Sequence, residues 1–264
     1  MDLDALLQYV PAFVLVFFRL AGMMVFAPLL GSTRIPRRLK VLLGLILAMA
    51  ITGGIAKPVA MPQTSWGLAL GIGGEIIFGV AMGMVMNFVF IAAQWAGEMI
   101  GQQMGLNMSE VLDPQFGAQG SLIGDLYFML TLVIFISPPV NGHHAMLRGI
   151  RASFDALPLL SVGMNAGIFD MVLGMFTAGT ILAIQLAAPM LVTMLCVDLA
   201  LGFIGKTIPQ INIMTAGMSV KSIIGILVLI VGLLVTGNVL SGALEDSMHK
   251  AQSAWSTPAA SAEH

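Results

Sequence analysis

Among the ionisable side chains that interrupt apolar runs of this chain, Arg19, Glu75 and Asp198 are the candidates for buried charge. A charge is costly in lipid, so each is expected to be buried against protein or a water-filled path, either pairing structurally or serving transport. The adjacent pair His143-His144 is a second candidate. Neighbouring residues project in different directions on a helix or a strand, so this pair lacks the i, i+4 spacing that sets two imidazoles on one metal ion, and no metal is expected. HExxH, CxxC and GxSxG spacings are absent, as is a glycine-rich phosphate loop after a strand signal. Ser219 and Lys221 are too common a pair to read as catalytic. No enzymatic step and no cofactor is expected.

The elements that position these residues belong to a membrane protein. The 264 residues are 58% hydrophobic and 9% charged, with mean hydropathy +0.97, against about 25% charged residues in soluble domains. Net charge is −2 with few basic residues, which gives no reason to expect nucleic-acid binding. The single cysteine, Cys196, lies in an apolar run and reads as a small hydrophobe. Asp2 and Asp4 stand where a cleaved signal peptide carries positive charge, so none is expected.

Apolar runs predict helices at Val10–Leu30, Leu39–Ala56, Trp66–Gly97, Leu122–Val140, Ile168–Ile204 and Ser222–Ala243. The basic turn around Pro36, with Arg34, Arg37, Arg38 and Lys40, predicts a cytoplasmic connection. Trp66–Gly97 would reach ~48 Å as one helix, well beyond a ~30 Å hydrocarbon core, so it must tilt, leave the lipid or break, with Gly71, Gly73 and Gly74 as the place. Ile168–Ile204 is also overlong, and Pro189 predicts a kink or two short helices. Residues 141–167 read as polar and irregular, and 205–221 as a turn between two helices of a hairpin. Residues 251–264 read as a disordered Ala/Ser tail.

The stretch 97–121 stands apart. Gly97, Gly101 and Gly105 are four apart and predict a close-packing helix face. Asn107, Ser109, Asp113-Pro114, Gly117 and Gly120 then predict loop. Alternation from a cytoplasmic Arg34–Lys40 turn places this acidic stretch inside and Arg148 and Arg151 outside, against the usual charge bias. The failed alternation and the overlong helices together suggest helices that do not cross a bilayer one by one. A secondary transporter using Glu75 and Asp198 is the alternative reading, although no repeat relates the two halves.

Several segments, in order, resemble the FliR family of flagellar type III export-gate proteins, itself related to an injectisome subunit. They are Arg19 with Pro28 and Gly31; Ile35-Pro36 with Lys40; Gly97 to Gly105 with Asp113-Pro114; Asn141-Gly142-His143-His144 with Ser153-Phe154 and Pro158; Ala188-Pro189; Leu199 to Phe203; and Pro209-Gln210-Ile211-Asn212 leading to Gly217 and Lys221. The resemblance implies an all-α membrane protein of long kinked helices and hairpins. Residues 1–160 would be FliP-like, with a FliQ-like hairpin at 161–250, assembled with FliP and FliQ in a helical pore complex that contacts FlhB and FlhA. It implies a channel for unfolded flagellar proteins in the inner membrane, within the basal body and raised towards the periplasm. It also implies a channel plug at about 105–121, with Leu106, Met108, Val111, Leu112, Asp113, Pro114, Phe116, Gly117 and Gly120. Pro209, Gln210, Asn212 and Lys221 would form the turn before the last helix. Asp198 stands where many relatives carry Glu.

Overall fold

The computed structural model describes residues 9–28, 30–32, 35–54, 64–106, 121–138, 140–160, 166–208 and 213–256. These residues form seven helices and no strand: α1 (Val10–Phe26), α2 (Arg37–Thr52), α3 (Ser65–Gln103), α4 (Leu122–Ile136), α5 (Gly142–Ala156), α6 (Ala166–Thr207) and α7 (Ile213–Ser256).

Proline sets several helix ends. Pro11 sits in the first turn of α1, where its missing N–H is not needed. Ala27, which precedes Pro28, is extended at φ −57° and ψ 136°, and its N–H closes the last turn on the Met23 carbonyl. Pro36 precedes α2. Ser121 caps α4, its hydroxyl accepting from the Gly124 N–H at 3.3 Å.

The helices narrow the sequence reading in two places and depart from it in two. First, α3 is one helix of 39 residues, about 58 Å long at ~1.5 Å per residue, and runs through Gly71, Gly73 and Gly74 without a break. A helix-interior glycine costs only about 1 kcal/mol, which packing can offset. Second, residues 142–156, read as irregular, form the amphipathic helix α5: Met146, Ile150 and Phe154 are buried one turn apart, while Arg148, Arg151 and Asp155 are exposed. Third, of the two alternatives expected around Pro189, a kinked long helix or two short ones, the chain forms the single long helix α6. Fourth, α6 runs to Thr207 and α7 begins at Ile213, so most of the stretch 205–221 read as a turn is helical, and α7 runs on to Ser256, so residues 251–256 are helical rather than disordered.

Three helices among the described residues are long and apolar enough to cross a membrane: Ser65–Gln103, Val172–Thr207 and Gly217–His249. The helices 10–26 and 122–136 are shorter apolar elements. Exposed Leu195, Leu199 and Phe203 on α6 and Ile230 and Leu234 on α7 need an apolar environment. The chain is a membrane-embedded protein.

The chain divides into two compact units. Unit 1 is Met1–Phe88, Gly142–Phe176 and Asp246–His264; its core includes Leu20, Met23, Phe78, Met82 and Ile150. Unit 2 is Val89–Asn141 and Thr177–Glu245. In unit 2 the buried rings of Phe90 and Phe135 meet edge to face with centroids 5.3 Å apart.

Candidate functional site

In unit 1, α1 and α3 touch at backbone distance because glycine faces glycine-sized space. A Cβ on Gly79 would lie 2.9 Å from the carbonyl carbon of Arg19 and from the Met23 nitrogen. Gly22 meets Ile76 and Gly83 meets Met23 in the same way. This approach brings two of the predicted charges together. Arg19 Nε donates to Glu75 Oε2 at 2.5 Å, with both side chains essentially fully buried, at 1% and 0% exposure.

Both groups make further hydrogen bonds. Arg19 Nη1 donates to the Ser153 carbonyl at 3.1 Å and to its hydroxyl at 3.4 Å, and Nη2 donates to the Leu157 carbonyl at 3.1 Å. These carbonyls belong to the end of α5, so an arginine from α1 caps another helix at the negative end of its dipole. The guanidinium also lies over the rings of Phe154 and Phe78, at 4.3 and 5.0 Å from their centroids. Glu75 Oε1 accepts the Leu160 N–H at 3.0 Å. Leu160 has φ +66°, a left-handed conformation that costs a side-chain-bearing residue about 1–2 kcal/mol. The bond to Glu75 is one interaction holding it there. A buried charge pair held by these further hydrogen bonds is a structural knot joining three helices. A transporter carboxylate must be able to give up its partner; this one has both oxygens committed.

In unit 2 the other predicted residues fall on and around the ends of one segment. Gly97 packs α3 against the start of α4: a Cβ there would stand 2.5 Å from the Ile123 carbonyl oxygen and 2.7 Å from the Gly124 Cα. Gly101 is buried on α3. Gly105 is not part of that helix face. It lies past the helix end with φ +74°; its N–H donates to the Gln102 carbonyl at 3.0 Å, and the Leu106 N–H donates to the Gly101 carbonyl at 3.1 Å. That pair of bonds is a Schellman cap, which needs the left-handed conformation glycine adopts freely.

The capped end is tied to α7. Ser222 donates its hydroxyl to the Met104 carbonyl at 3.1 Å, and the fully buried Met104 side chain fills the space over Gly225, 2.5 Å from where a Cβ would be. At the other end, Ser121 is buried and caps α4 beside Gly97. Both flanks of residues 107–120 are therefore fixed within unit 2. Leu106, the last described residue before that segment, is exposed. Met108, Val111, Leu112, Asp113, Pro114, Phe116, Gly117 and Gly120 lie outside the described residues, as do Pro209, Gln210 and Asn212.

Asp198 departs from its expected setting. It is not a buried charge in this chain: its side chain is 43% exposed and forms an ion pair with Lys221, itself 23% exposed. Lys221 stands inside α7 rather than in the preceding turn. The pair links the end of α6 to the start of α7. The His143 and His144 rings lie 4.0 Å apart between centroids, tilted by 46°, and among the described residues no group of three or more His, Cys, Asp or Glu side chains is placed to hold a metal ion.

Sequence reasoning missed Ser153, Leu157 and Leu160 as partners of the Arg19–Glu75 pair, and Met104, Ser222 and Gly225 as the anchor of the α3 end. The four-residue spacing of Met146, Ile150 and Phe154 was a usable signal for α5, which carries Ser153. Nothing local marked Ser222 or Gly225.

The comparisons with known proteins cover most of the described fold. The family model described as "Bacterial export proteins, family 1" matches residues 10–247. The chain is 32% identical over 232 residues to "Flagellar biosynthetic protein FliR" of Bacillus subtilis, covering 87% of this chain and 88% of that one. It is 29% identical over 203 residues to the protein of the same name from Escherichia coli, covering 76% of each. "Yop proteins translocation protein T" of Yersinia pestis is 28% identical over 187 residues, covering 70% of this chain and 71% of that one. The family match spans far more than half of the chain, and the protein belongs to the bacterial export proteins, family 1.

Proposed function

We propose that this chain is a subunit of the export gate of the flagellar type III secretion apparatus, helping to form and close the channel through which unfolded flagellar proteins leave the cell. The observation that carries this reading is the family match over residues 10–247, joined to the flagellar relatives. The expected setting is the bacterial inner membrane within the basal body, with FliP and FliQ as partners in a hetero-oligomeric pore and with FlhB and FlhA nearby. A FliP-like part to residue 160 and a FliQ-like hairpin at 161–250 belong to the same proposal. The chain performs no chemical step in this reading; partners and the proton gradient supply the energy.

Residues 107–120 with Leu106 act as the plug. Support comes from their composition, apolar side chains set among Gly and Pro, and from the two fixed flanks at Gly105 and Ser121. A segment anchored at both ends can fill a pore sterically and move aside without detaching.

Chromosomal deletion of the gene in its own organism tests the function, read by motility in soft agar and by flagellar proteins in the medium. Loss of both, restored by the gene on a plasmid, supports the proposal. Unaltered flagellar export overturns it, and selective loss of injectisome substrates would move the chain to that apparatus. Deleting 107–120 from an assembled complex should raise ion leakage across the membrane; unchanged leakage sinks the plug.

A further inference from the structure

Helices α1 and α2 leave an open groove of about 590 Å³ between them, with walls of two kinds. Phe17, Ala21 and Met24 of α1 face Val41 and Gly44 of α2, and make an apolar channel. Arg37 and Lys40, in the first turn of α2, line it as well. From Arg37 to Gly44 the helix advances about 10 Å, so the cations sit at the end of the groove beside the α1–α2 turn and the apolar wall continues from them.

Neither cation has an ion-pair or hydrogen-bond partner among the described residues. The first turn of α2 holds no acidic residue and Pro36 gives it no side-chain cap. Positive side chains where the helix dipole is already positive raise the energy of the site until an anion arrives. The surrounding surface of α2 is apolar, with Leu42, Leu45, Ile46 and Met49 exposed. A ligand that fits has a negative head and a hydrocarbon body, and the medium around a membrane-embedded chain consists of such molecules.

We propose that this groove binds an anionic phospholipid, its phosphate held by Arg37 and Lys40 and an acyl chain lying against Phe17, Met24 and Val41. A zwitterionic lipid carries its own cation next to the phosphate and gains less from the two side chains.

The full-length chain, purified in mild detergent and titrated with mixed micelles of phosphatidylglycerol and phosphatidylcholine, tests this by native mass spectrometry. Wild type should retain phosphatidylglycerol in preference to phosphatidylcholine. The double variant R37Q/K40Q should lose that preference by about 30-fold, the product of two membrane-surface charges. Arg38→Gln removes the same charge from a neighbouring exposed residue that does not line the groove, and should change the preference by less than about twofold if the phosphate is held by the groove's own cations. Equal retention of the two lipids by wild type overturns the proposal, as does an R38Q variant as weak as R37Q/K40Q, which would mean diffuse attraction. In cells, a photocrosslinking residue at Val41 should yield the chain with a lipid-sized mass gain. A protein-sized adduct instead would show the groove to be a protein interface and overturn the lipid assignment.

Discussion

Arg19 and Glu75, 56 positions apart, form a 2.5 Å charge-assisted hydrogen bond whose surroundings are closed by the end of α5 and by two aromatic rings. Their pairing depends on Gly22, Gly79 and Gly83, because only glycine lets the α1 and α3 backbones approach closely enough. Charge pairing and close backbone packing are thus one feature in unit 1.

Removing one partner should cost more than removing both. Arg19→Met leaves Glu75 buried and unpaired, and Glu75→Leu leaves Arg19 so; each is expected to destabilise by about 3–5 kcal/mol. The double variant R19M/E75L should recover much of that loss. Thermal unfolding of the purified chain in detergent, with membrane abundance as a second readout, checks it. A double variant no more stable than either single would refute the account of the pair as a mutual neutralisation.

Glycine substitutions in α3 should split by position. Gly79→Ala places a methyl group against the Arg19 and Met23 backbones and should lose more than about 3 kcal/mol, beyond the usual overpacking penalty because backbone cannot rotate aside. Gly73→Ala meets nothing within 4 Å and should be neutral or stabilising by up to about 1 kcal/mol. Comparable losses at both positions would contradict the close-approach geometry.

Gly105 should matter for conformation rather than for space. Gly105→Ala meets no close neighbour but must hold φ near +74°, at a cost of about 1–2 kcal/mol, with Gly105→Asn milder. Ser222→Ala removes one hydrogen bond to the same helix end, worth about 0.5–1.5 kcal/mol. Both are expected to loosen the anchor of residues 107–120 and raise ion leakage through an assembled complex, with Asn intermediate at position 105. Leakage at the wild-type level for both Gly105→Ala and Ser222→Ala would separate the anchor from closure.

The Asp198–Lys221 pair should be nearly silent in the isolated chain. Both side chains are accessible, so Lys221→Met should change stability by less than about 1 kcal/mol. The charge-swapped D198K/K221D variant should match wild type in thermal unfolding. A loss above about 2 kcal/mol on either change would mean that the pair is shielded from its surroundings.

Much of the architecture was legible from local pattern. The apolar runs located six of the seven helices because transfer from water depends on each residue's own surface and needs no knowledge of neighbours. Gly97 approaches the backbone of α4 closely. Gly105, at the same spacing, sits beyond the end of α3, and whether a glycine packs or caps depends on where the helix stops. Helix α5 was missed because its polar face, with Arg148, Arg151 and Asp155, outweighed the four-residue recurrence of Met146, Ile150 and Phe154.

The sequence by itself determined that this chain lives in a membrane, that it is helical, and that Arg19 and Glu75 must be compensated wherever they lie, because the cost of burying charge is a property of the group. Tertiary structure alone decided who compensates whom. Arg19 met Glu75 and the last carbonyls of α5, Asp198 stayed at the surface with Lys221, and Met104 met Ser222 and Gly225. Those partners are far apart along the chain, and only the closure of the helices on one another fixes which of the many chemically acceptable pairs can form.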